Sequence, residues 1–151
     1  MKKKSILPRS QKGQSLVELA ISLVILLYLL SGAVEFGIIF FQFVQLRDAV
    51  QEGALYGSIN PTDPGPIELR ARAASDKPID LSDTSAVVIT ITVTDSVGNP
   101  KAQADACEGD AITVHARFDH RIFMPFVPQL IGRTIIPLNA EVTDTVLTPV
   151  C

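Results

Sequence analysis

Residues 13–57 read "GQSLVELAISLVILLYLLSGAVEFGIIFFQFVQLRDAVQEGALYG", and the fold turns on whether this stretch is one helix. No proline interrupts it, whereas Asn60, Pro61, Pro64, Gly65 and Pro66 crowd together just beyond. The composition predicts a single helix from about Ser15 to about Tyr56, roughly 60 Å long at the standard rise. From Leu19 to Val34 no residue is charged, and after Glu35 apolar character resumes through Phe36, Gly37, Ile38, Ile39, Phe40 and Phe41. A spanning helix needs roughly 20 mostly apolar residues. The inner half is therefore expected to cross a membrane, provided that a flanking glutamate is tolerated near the hydrocarbon. The outer half then needs partners or a domain to cover it.

Charge gives the expected orientation. Lys2, Lys3, Lys4, Arg9 and Lys12 precede the apolar run, and the first thirteen residues contain no acid. Basic residues are retained on the cytoplasmic side, so the N-terminus is expected inside the cytoplasmic membrane and everything after about Leu46 outside it. Disulfides persist in that outer compartment, and Cys107 and Cys151 form an even pair there; with only these two cysteines, a disulfide is expected rather than a metal site. Removal of the first 13 residues leaves 8 basic against 16 acidic residues, a net charge of −8. Such an acidic body excludes nucleic acid as a partner, because phosphate binding needs a basic face.

Beyond the helix, Pro66 can open a short second one over Ile67 to Ser75, which Lys77 and Pro78 would end. Past Asp80 the period changes from helical to alternating. Val87, Ile89, Ile91 and Val93 fall on one face of a first strand, ended by the turn "SVGNP". Ile112, Val114, Ala116 and Phe118 share a face of a second strand, and Ile136, Leu138, Ala140, Val142 and Val146 a face of a third. Three half-polar strands predict an antiparallel sheet with one face for the helix to cover, hence an α+β protein. The loop "IFMPFVPQLIG", Ile122 to Gly132, is too apolar for an ordinary solvent loop. It is expected either to cover the end of the sheet or to meet lipid headgroups or a neighbouring subunit.

Gly13, Gln14 and Glu18 form the pattern of greatest chemical interest: a basic leader ending in glycine, then a glutamate five places on, then an apolar helix. This resembles the processing site of type IV pilins and pseudopilins. Within the helix, Gly13 to Glu18, Val34 to Gly37 ("VEFG") and Ala49 to Gly57 are together similar to the TadE-like family of pseudopilins, which act in building tight-adherence (Flp-type) pili. Arginine is often found in the family where this chain has Ile38 and Leu55. The resemblance implies that residues 1–13 are a leader removed by a prepilin peptidase, that 14–57 form a transmembrane and assembly helix, and that 58–151 form an extracytoplasmic domain. Gln14 would become the mature N-terminus, and Glu18 would meet the N-terminal amine of a neighbouring subunit, setting the register. A glycine before the cut allows close approach of an extended backbone. A competing signal-peptidase site is offered by Ser31, Gly32 and Ala33, but cutting there would leave "FGIIFFQF" near an exposed N-terminus.

At 100° per residue, Ser31, Glu35, Gln42, Ala49 and Gly53 lie within about 40° of one line. This polar and small stripe is expected to form helix contacts with other subunits, with snorkelling of Glu35 to the outer interface as the alternative. Catalysis has no support: the acids are scattered without convergent spacing, and His115 and His120 lack a nucleophile pattern. "DLSDTS" and "CEGD" lack the glycine-spaced loop of a dedicated calcium site. The expected protein is a minor pilus-assembly component without cofactor or small-molecule substrate. Its expected partners are the membrane, the prepilin peptidase, other pilin or pseudopilin subunits and the secretion platform, and it either remains in the membrane or enters a surface pilus. The alternative is an uncleaved single-pass anchor whose outer domain binds a ligand or adhesive target.

Overall fold

A computed structural model of the protein describes residues 12–151. Helix α1 (Lys12–Ile59) is unbroken over 48 residues, about 70 Å at ~1.5 Å per residue. It stops where Pro61 can no longer supply an N–H, the last bond running from the Asn60 amide to the Tyr56 carbonyl at 3.0 Å. Helix α2 (Pro64–Arg72) follows, then β1 (Val87–Thr94), β2 (Pro100–Lys101), β3 (Ala111–Arg121), a short α3 (Val127–Ile131) and β4 (Ile135–Thr145). The expected α+β class is borne out.

Two element assignments differ from expectation. Helix α2 begins three residues earlier than Ile67 because Asp63 caps it, its carboxylate accepting from the Gly65 amide at 3.0 Å, with Pro64 in the first turn. It ends at Arg72, short of Ser75. The Arg72 guanidinium donates to Glu68 at 2.8 Å, to the Leu81 carbonyl at 2.6 Å and to the Val87 carbonyl at 3.1 Å, tying the helix to the start of β1. The sheet has four strands rather than three, in the order β2-β1-β3-β4, every pair antiparallel. The extra strand is the short return of the "SVGNP" hairpin. Its turn is held by Asp95, whose carboxylate accepts from the Val97 amide at 2.9 Å and the Asn99 amide at 2.8 Å, with Gly98 at a φ of 94°.

Register brings the inward residues into rows, such as Ile89 beside Ala116 beside Ala140, and Val87 beside Phe118 beside Leu138. Against them pack Leu46, Ala49, Val50 and Ala54 of α1 and Ile67 of α2, all fully buried. The domain's core thus includes the outer half of α1 itself. Close approach depends on small residues: a Cβ added at Gly57 would lie 2.6 Å from the Ile112 Cδ1, and one at Gly53 would lie 3.1 Å from the Ala71 Cβ.

The C-terminal segment returns to the end of α1. The Leu147 amide donates to the Ser58 carbonyl and the Thr148 hydroxyl to the Ile59 carbonyl, both at 2.7 Å, satisfying orphan carbonyls of the last turn. Cys107 and Cys151 are disulfide-bonded, their Cα atoms 5.7 Å apart. Beside them the Asp110 carboxylate accepts from the Lys101 ammonium and the Cys107 amide, each at 2.7 Å. The lysine first and the amide second hold the Asp110 carboxyl below the usual carboxylate range.

Replacing a buried leucine with alanine removes its transfer energy and leaves a cavity. Leu46→Ala is expected to destabilise the domain by about 2–5 kcal/mol, read as faster hydrogen exchange of β3 amides, whereas Leu23→Ala on the exposed inner half leaves that exchange unchanged. A depressed carboxyl contributes stability above its unfolded pKa, near 4, and loses it as pH falls through the lower folded value. Domain stability is therefore expected to decline below about pH 4, with a shallower decline in Asp110→Asn. Asp83, held down chiefly by Ser85, and Asp95, chiefly by Asn99, maintain part of the slope. Urea midpoints measured across acid pH check both statements.

Candidate functional site

The inner half of α1 is bare. Leu16, Val17, Leu19, Ile21, Leu23, Leu26, Leu29 and Leu30 are all exposed, and the helix is long and apolar enough to cross a membrane. Glu18 lies on this exposed surface. Gly13 and Gln14 lie in the first turn of α1, and among the described residues nothing approaches within 4 Å of a Cβ built on Gly13. Of the expected basic leader, residues 1–11 lie outside the described residues.

Where the domain begins, the character of α1 changes at Glu35. This glutamate is only 2% exposed. His120 Nε2 donates to its Oε1 at 2.6 Å, the Met124 amide donates to Oε2 at 2.7 Å, and the Phe123 amide lies 3.2 Å from both oxygens. A buried carboxylate costs several kcal/mol unless paired and hydrogen-bonded, and these three donors supply that need. The two amides belong to the connection leaving β3, so the carboxylate gathers strand end and loop onto the helix. One turn earlier, the Ser31 hydroxyl donates to the Pro125 carbonyl at 2.8 Å. The Tyr28 and Phe126 rings lie 5.0 Å apart.

The stripe predicted to face other subunits is thus turned toward this chain's own domain. Ser31 and Glu35 hold the β3–β4 connection. The Gln42 Oε1 is buried without a hydrogen-bond partner among the described residues, Ala49 is in the core, and Gly53 lies against α2. The physical reason is that small and polar residues admit close approach by any partner, and a domain tethered to the same helix occupies the face first. Neither does Glu35 snorkel: its carboxylate is buried against His120 and the Phe123 and Met124 amides.

His120 was not assigned a role by its sequence position. Extending the alternation Ile112, Val114, Ala116, Phe118 by one step puts it on the inward face, where a polar side chain needs a partner. Its partner was already visible as the isolated charge of α1. Gln45 was also missed. Its amide forms a buried pair with Ile79, the side-chain nitrogen donating to the Ile79 carbonyl at 2.8 Å and the side-chain oxygen accepting from the Ile79 amide at 2.7 Å. Asp80 and Asp83 of "DLSDTS" serve their own turns, accepting from Ser82 and Ser85.

Residues 13–55 match the family described as TadE-like protein. The match falls wholly on α1, so the resemblance carried by the helix motifs is borne out over that element. It supports a Tad-pilus-associated protein anchored to a membrane by α1. No curated protein and no solved structure matches the chain.

Hydrogen bonds to a charged group contribute roughly 1.5–3 kcal/mol each. Glu35→Ala is therefore expected to speed hydrogen exchange at the Phe123 and Met124 amides by roughly 100-fold or more, while amides of β1 keep their protection. His120→Ala should loosen the same loop to a smaller degree, since both amides retain their acceptor.

Proposed function

We propose that this chain is a minor, pseudopilin-like component of tight-adherence (Flp-type) pilus assembly, processed after Gly13 by a prepilin peptidase and assembled through α1. The observation that supports it most is that the TadE-like match lies on a helix whose inner half is bare and apolar with one exposed acid, Glu18, near its start. A carboxylate at a bilayer boundary costs a few kcal/mol without a partner. Cleavage between Gly13 and Gln14 creates an α-amine that can serve as that partner on a neighbouring subunit. Unwinding the first helical turn for a peptidase costs little, because its N–H groups have no acceptors within the helix.

In this reading α1 runs through the cytoplasmic membrane with its N-terminus inside, and the sheet domain and its disulfide lie outside. Register between subunits is carried by Glu18. The domain-facing stripe of Ser31, Glu35 and Gln42 serves assembly indirectly, by fixing where the domain sits along the rod. The chain performs no chemistry of its own; the peptidase, other pilin or pseudopilin subunits and the secretion platform act on it.

The intact mass of the membrane-extracted protein, measured with and without the prepilin peptidase, tests the reading. The expected result is a chain beginning at Gln14 only when the peptidase is present. A leader retained under both conditions would support an uncleaved single-pass anchor instead. Glu18→Ala is expected to abolish co-assembly while the protein still reaches the membrane; normal co-assembly would remove the proposed role of this acid.

A further inference from the structure

The β3–β4 connection, residues 122–134, leans on α1 at a height that the helix itself defines. Its contacts with α1 are made by Tyr28, Ser31 and Glu35, which stand about 15, 20 and 26 Å above Glu18 at ~1.5 Å per residue. A hydrocarbon core is about 30 Å thick. With Glu18 near the inner boundary, the Tyr28 contact falls at about the midplane and the Ser31 and Glu35 contacts fall within the outer leaflet, and tilt of α1 lowers all three. The loop cannot then be a feature of the aqueous domain alone.

Its surface suits that depth. Phe123 is 79% exposed and Leu130 is 76% exposed, and Phe126, Ile131 and Ile135 are also exposed. No acid occurs from Arg121 to Arg133, and exposed arginines stand at both ends of this run, in a chain whose body is otherwise strongly acidic. Aromatic and aliphatic side chains bracketed by cations are what an interface of acyl chains below and anionic phosphates above selects. Phe126 is held at a φ of 76°, a conformation that costs a bulky residue on the order of 1–3 kcal/mol, and its ring lies against Tyr28. Backbone groups that face α1 are satisfied there: Glu35 takes the Phe123 and Met124 amides, and Ser31 donates to the Pro125 carbonyl. Internal satisfaction of this kind is required of irregular backbone at membrane depth.

We propose that the 122–132 loop dips into the outer leaflet of the membrane that α1 crosses, with Phe123, Phe126, Leu130 and Ile131 among the upper acyl chains and Arg121 and Arg133 at the lipid phosphates. The domain is thereby held to the bilayer at two places, the helix and the loop. This inference rests on the reading of α1 as a spanning helix with Glu18 at the inner side.

The chain has no tryptophan, so single reporters can be introduced into the full-length protein in vesicles of phosphatidylethanolamine and phosphatidylglycerol. Phe123→Trp and Leu130→Trp report on the loop, Val97→Trp on the distant hairpin turn, and Leu23→Trp on the middle of the proposed span. The expected result is blue-shifted emission from both loop reporters, with quenching by lipids brominated near the carboxyl end of the acyl chain at least about twofold greater than for Val97→Trp. Because both loop side chains are largely exposed, the two substitutions test the same claim independently without disturbing the core. Iodide quenching of the loop reporters equal to that of Val97→Trp would overturn the proposal, and so would shielding from both iodide and lipid, the sign of a protein partner. Leu23→Trp separates the two levels. Deep lipid quenching there without loop quenching rejects the loop insertion and keeps the span; no lipid quenching there rejects both.

Discussion

A single carboxylate on an apolar rod imposes the main constraint on this molecule. Glu35 interrupts what would otherwise be an uncharged surface from Leu19 to Val44, and a charge in such surroundings is tolerated only with donors close at hand. Donors come from His120 at the end of β3 and from two backbone amides just beyond it. Meeting the electrostatic need of one helical residue therefore fixes where the sheet ends, how its last connection turns, and how far down α1 the domain extends.

From that point outward, helix and domain are joined at further levels. The Gln45 amide exchanges two hydrogen bonds with Ile79 in the interior, and the C-terminal segment caps the last carbonyls of α1. Ala49, Gly53, Ala54 and Gly57 lie between these levels and let the sheet and α2 close on the helix. The outer half of α1 is consequently a core element, whereas the apolar side chains of the inner half are exposed. One continuous helix thus joins an exposed apolar segment to the core of the domain without an intervening linker.

Much of this was legible from local pattern. The absence of proline over residues 13–57 predicted one helix, and alternation placed Val87, Val114 and Leu138 on inward faces where they are found. The paired cysteines were legible as well. Other features were not. The cap at Asp63 and the ties of Arg72 shifted α2 relative to a reading based on prolines alone. The polar stripe was recognised as a contact surface, but its partner is this chain's own sheet and loop. His120 and Gln45 escaped notice because each matters only through a residue distant in sequence.

The amino-acid sequence by itself determined the helix, the strand faces, the sign of the charge and the TadE-like character of α1, because these follow from residues within a few positions of one another. Only the tertiary structure decided which side of α1 is covered and what Glu35 binds. It alone also decided that the apolar connection rests at the level of Tyr28 and Ser31. Those outcomes depend on hydrogen bonds between residues 85 to 94 positions apart, and no local preference specifies such a pairing; it is chosen by the requirement that a buried charge and the backbone groups around it all find partners at once.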